Sequence, residues 1–132
     1  IASPEAWEPR PVKFRAPFEW LVSVLRLTGV DGLNGQRLGG ALNEIGQVPW
    51  RAPSPAGYDD IADSWASPDG IWRRTELAER IAQNLRPDRV VERAEIAFPN
   101  ALSDETRLWL SRAETSRQAL ALLLVAPEMM RR

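Results

Sequence analysis

Residues 46–66 read G-Q-V-P-W-R-A-P-S-P-A-G-Y-D-D-I-A-D-S-W-A, and they gather the side chains best suited to ligand chemistry. Trp50, Tyr58 and Trp65 offer flat apolar faces with polar edges, a combination that stacks on sugar rings, aromatic rings or proline segments. Gln47, Arg51, Asp59, Asp60 and Asp63 are placed to supply orienting hydrogen bonds. The candidate binding set is therefore Gln47, Trp50, Arg51, Tyr58, Asp60 and Trp65. A competing reading is structural: a proline-rich loop needs aromatic anchors to hold one shape, so the same rings would pin the segment onto the helices. The acids Asp59, Asp60 and Asp63 invite a cation site or a general acid/base pair, yet their spacing lacks the alternation, central Gly and late Glu of a calcium loop. Asp63 and Asp69 suit turns and helix starts better.

Other chemistry is excluded by composition. The chain has no Cys and no His, which removes thiolate nucleophiles, Ser-His-Asp triads, disulfides and ordinary zinc or haem ligation within these residues. No catalytic residue, metal ligand or cofactor is assigned. A net charge of -1 argues against a nucleic-acid-tracking surface. Lys13 is the single lysine among 17 basic residues, a bias read first as codon usage. The longest apolar run, residues 119–126, is too short to span a bilayer.

The elements that must position the loop follow from apolar spacing and capping signals, and they predict an all-α domain, an irregular bundle of about five to six helices. Pro17 opens P-F-E-W-L-V-S-V-L-R-L-T-G, in which Phe18, Leu21, Val22 and Leu25 form an amphipathic stripe and Gly29 suits the position just past the helix end. A second helix spans roughly Gln36 to Ile45, lined by Leu38, Leu42 and Ile45, with Gly39 and Gly40 permitting a neighbour's approach. After the loop, Ser67 caps a strong helix with Pro68 and Asp69 in its first turn and Ile71, Thr75, Ala78, Ile81 and Leu85 on its inner face. A shorter helix follows Pro87, carrying Val90, Val91 and Ala94, and Ser103 caps another. Either Ser111 or Thr115 starts the last long helix, since both fit a capping box. Trp20 and Trp72 fall off their helices' stripes, and Arg73, Arg74, Arg131 and Arg132 read as solvated charges.

Residues 124–130, L-V-A-P-E-M-M, nearly repeat residues 1–7, I-A-S-P-E-A-W. In the later copy Pro127 ends one helix and starts a new turn, from which Met129 and Met130 fold back on the helix just ended. By the same logic Ile1 reads as the last turn of a helix lying upstream, so residues 1–132 are expected to be a single helical domain at the C-terminal end of a longer protein.

These segments resemble a bacterial family known as domain of unknown function 1800. The likeness rests on S-P-E-x-W at residues 3–7, P-x-E-[FW]-L-V-S-x-L-R-x-T-G at 17–29, the G-Q-x-[LPW]-W loop at 46–60, W-x-S-P-[DE]-G at 65–70 and A-L-x-L-L-L-x-[SA]-P-E at 119–132. Ser54 and Met129 depart from it, where a second Pro and a Phe are usual. The resemblance implies a largely helical multidomain protein, sometimes exported, and brings no activity with it. Three functional readings follow: a non-catalytic structural or interaction domain packed on the remainder of its parent chain or on a protein partner, the wall of an enzyme cleft, or a module in which loop 47–66 binds a small carbohydrate or aromatic group. No nucleic acid and no membrane span are expected.

Overall fold

Local signals set most helix boundaries. The computed structural model describes residues 13–31, 33–59 and 61–132. Readings that rest on residues 1–12, including the S-P-E-A-W opening, and on Gly32 and Asp60 fall outside them. Helix α1 (Pro17–Thr28) starts at a proline whose missing N–H would be unsatisfied there anyway. Its first turn is closed by Glu19, which accepts the Ala16 N–H at 3.1 Å. It ends at Gly29, whose φ of 68° is the left-handed conformation that glycine adopts without a Cβ penalty. Asn34 caps α2 (Gly35–Glu44) by accepting the Arg37 N–H. A single turn, α3 (Ala62–Trp65), leads into α4 (Pro68–Asn84), capped by Ser67 through the Gly70 N–H. A Cβ on Gly70 would lie 3.1 Å from both the Ser67 hydroxyl and the Trp65 carbonyl, which accounts for glycine in W-x-S-P-D-G.

Helices α5 (Val90–Ala97), α6 (Asp104–Arg112), α7 (Ser116–Val125) and α8 (Pro127–Met130) complete the chain. Thr115, accepting from the Gln118 N–H, is the cap of α7, while Ser111 lies inside α6 with its hydroxyl on the Leu108 carbonyl. The described residues thus form an all-α bundle of eight helices, two of them single turns, and no strand.

The core is built around α7. Ala119, Leu120, Leu123 and Leu124 are buried, and α4, α5, α6 and α8 all pack on this helix. Ala78 and Ala82 on α4 are small enough to bring the two backbones close. Met129 and Met130 fold back into the core as expected. Pro127 leaves the last carbonyls of α7 without helical donors. One of them, Leu124 O, accepts the Trp20 indole N–H at 3.0 Å, across 104 residues of sequence. Residues 13–15 run antiparallel to 130–132, with Arg132 N–H donating to Lys13 O at 2.8 Å and Arg15 N–H to Met130 O at 2.8 Å.

Two stripes differ from expectation. On α1 the buried face is Pro17, Trp20, Leu21 and Val24, not the Phe18 line; Trp20 is 0% exposed and Phe18 faces outward. Trp20 wins because its N–H has an orphan carbonyl to fill. On α4 the buried face is Arg74, Leu77, Ala78 and Ala82, so Ile71 is exposed, and Arg74, expected to be solvated, is 1% exposed between Phe14 and Trp20. Gly39 makes only ordinary contact with Pro49, and Gly40 faces open space.

The signature A-P-E has a specific role here. Glu128 in α8 reaches back to the start of α6, accepting the Ser103 N–H at 2.8 Å and the Thr106 hydroxyl at 3.1 Å. Burial alone would raise its pKa, but hydrogen bonds from the Ser103 backbone, its own N–H and the Ser103 and Thr106 hydroxyls outweigh that and hold the carboxyl below its ordinary value.

Candidate functional site

Loop 46–61 is folded on itself by its own aromatics. Gly46 and Gly57 take positive φ, and a tight turn at 54–57 is closed by Gly57 N–H on Ser54 O at 3.0 Å. Tyr58 then reaches back ten residues: its single O–H proton is shared between the carbonyls of Val48, at 2.6 Å, and Arg51, at 3.0 Å. These two carbonyls bracket the turn that carries Trp50. Trp65, 9% exposed, packs on Tyr58 with ring centroids 5.7 Å apart and donates its indole N–H to Asp59 O at 2.6 Å. Gln47 anchors the loop to α1, its Oε1 accepting the Phe18 N–H at 2.7 Å.

Trp50 is different. It is 102% exposed and has a φ of 63°, a conformation rare for a bulky side chain. It stands at the lip of an open groove of about 580 Å³ between α1, α2 and the loop. Phe18, Leu38, Leu42 and Pro49 supply apolar lining, to which Gly35 and Gly39 add. The polar side-chain groups among the lining residues are the Gln47 amide, whose oxygen accepts from α1, the Tyr58 hydroxyl, which donates within the loop, and the Trp50 indole N–H. Among the described residues, no carboxylate, guanidinium or amine lines the groove.

Of the residues singled out in sequence, the structure brings Gln47, Trp50 and Tyr58 to this groove, and places Trp65 beneath Tyr58 as a buried support. Arg51 is exposed and contributes its carbonyl. Asp60 lies outside the described residues. The Asp59 carboxylate accepts from the Ser64 hydroxyl at 3.1 Å, and Asp63 sits in the first turn of α3. Among the described residues no group of three or more acids is placed to share a metal ion. Sequence reasoning missed Phe18, Leu38 and Leu42 as groove residues. The signal was present in Phe18, one residue after the N1 proline, where a side chain is free to lean outward.

Fold and site together define a class: an all-α bundle bearing an apolar groove with a tryptophan lip. The chain belongs to the family described as "Protein of unknown function (DUF1800)", whose model matches residues 1–131. No curated protein and no solved structure matches the chain. No helix among the described residues is long and apolar enough to cross a membrane.

Proposed function

We propose that this chain is a non-catalytic interaction domain of a larger protein, and that its groove receives an apolar segment from the remainder of that parent chain. The observation carrying this reading is Trp50, fully in water at a φ of 63° on the lip of an apolar groove. Exposure of a large ring and a strained backbone are both unfavourable in the isolated domain, the strain by about 1 kcal/mol or more. Burying the ring against a partner recovers several kcal/mol, at about 25 cal/mol per Å² over roughly 150–250 Å². Tyr58 clamps the turn, so Trp50 is held ready and little entropy is lost on docking. The groove's mainly apolar lining supports an apolar occupant over a sugar, which needs several donors and acceptors.

A photo-crosslinking amino acid at position 38, in the full-length product, tests this. The expected product joins Leu38's position to a segment outside residues 1–132, with yield reduced about tenfold by Trp50→Ser. Crosslinks confined to residues 13–132, or a yield indifferent to Trp50→Ser, would overturn the reading.

A further inference from the structure

A second cavity, sharing no lining residue with the groove, lies between α1, α5 and α8 and has a volume of about 410 Å³. Three guanidinium side chains line it: Arg15 just before α1, Arg26 in its last turn and Arg93 in α5. Leu27, Phe98 and Met129 add apolar surface, and Ile96, 77% exposed, stands at its edge. Cationic and apolar linings in one cavity are the two halves of a site for an amphipathic anion.

The acids of α1 and α5 have other partners. Glu19 divides its carboxylate between Arg132, at 2.7 Å, and the Ala16 N–H. On α5, Glu92 pairs with Arg89 and Glu95 with Arg107. Among the described residues, neither Arg26 nor Arg93 forms an ion pair. Arg15 is partly buried, donating to Met129 O at 2.9 Å; burial lowers its pKa, with Glu19 opposing and Arg132 adding to the shift. A bland reading of Arg26 exists, since a cation in the last turn complements the helix dipole. That reading explains Arg26, and the bond to Met129 O explains Arg15, but neither accounts for Arg93 lining the same cavity.

We propose that this cavity binds an organic phosphate monoester with an apolar body, its phosphate held by Arg15, Arg26 and Arg93 and its body laid against Leu27, Phe98 and Met129. A phosphate is favoured over a carboxylate because three guanidinium groups match a dianion with three acceptor oxygens.

Calorimetric titration of the full-length protein with phenyl phosphate, inorganic phosphate and benzyl alcohol separates the two halves. Phenyl phosphate is expected to bind about tenfold or more tighter than inorganic phosphate, and benzyl alcohol not at all. Replacing Arg26→Gln together with Arg93→Gln, both exposed, should weaken phenyl phosphate about tenfold without altering Tm. Arg112→Gln, on α6, should leave it unchanged. Methyl NMR signals of Met129 and Ile96 should shift on titration. Absence of saturation up to about 10 mM phenyl phosphate, equal affinity in the double variant, or inorganic phosphate binding as tightly would each overturn the proposal.

Discussion

Arg74 offers the sharpest test of the packing described here. Its guanidinium is sealed between α1, α4 and α8; among the described residues its buried Nε and Nη2 have no hydrogen-bond partner, and Nη1 reaches the Met130 sulfur at 3.8 Å. Burial lowers its pKa to about 10. Relative to a guanidinium at its ordinary, higher pKa, holding the cation in this site is unfavourable by about 3 kcal/mol. Opposing this, the group lies 4.8 Å from the Phe14 ring centroid and 5.9 Å from that of Trp20, contacts worth about 1–2 kcal/mol together. Arg74→Met keeps the volume and removes the charge, so it should stabilise the domain by about 1–2 kcal/mol, raising Tm by about 4–8 °C. The pH dependence has a definite sign. Below about pH 10 the arginine is protonated folded and unfolded, and the penalty is complete. As pH rises further the folded state releases the proton while the unfolded state keeps it, so wild-type stability recovers relative to the variant. Urea denaturation at pH 7 and pH 11 should show the gap narrowing by about 1 kcal/mol. A lower Tm for Arg74→Met, or a gap that does not change with pH, would refute the reasoning.

The loop predicts a contrast between two tryptophans: Trp65→Ala should destabilise by about 3–5 kcal/mol, whereas Trp50→Ala should lie within about 0.5 kcal/mol of wild type in thermal melts of the isolated domain. Glu128→Gln should cost about 1–3 kcal/mol at pH 7, measured by denaturant titration. Because the folded carboxyl titrates below its ordinary value, this stabilisation is present above pH 4.5 and lost as pH falls through the folded pKa, so the gap between variant and wild type should shrink on acidification. Trp20→Phe should strand the Leu124 carbonyl and lower stability by about 1–3 kcal/mol, visible as a fall in Tm.

Helix ends were the most legible part of the sequence. Ser67, Ser103 and Gly29 act through bonds spanning a few residues, so their roles need no knowledge of the rest of the chain. Helix faces were less legible. On α1 the lines through Phe18 and through Trp20 both include Leu21 and both have helical spacing, and only a carbonyl 104 residues away decides between them. Arg74 looked like half of a solvated Arg pair because its burial depends on Phe14 and Trp20, which reach it from another helix and from the segment paired with residues 130–132. In the loop, aromatic and proline content pointed to the right segment. The division between Tyr58 and Trp65 as internal supports and Trp50 as an outward ring depends on which ring meets which carbonyl, and spacing does not encode that.

The bond from Trp20 to Leu124 also bears on biosynthesis. At roughly 5–20 residues per second a ribosome takes on the order of 5–20 s to make the 104 residues separating the two partners. Throughout that interval the Trp20 indole lacks its acceptor, and the side of the first helix that packs on α8 is uncovered. Nascent chains of this protein are therefore expected to stay protease-sensitive around α1 until α7 and α8 emerge.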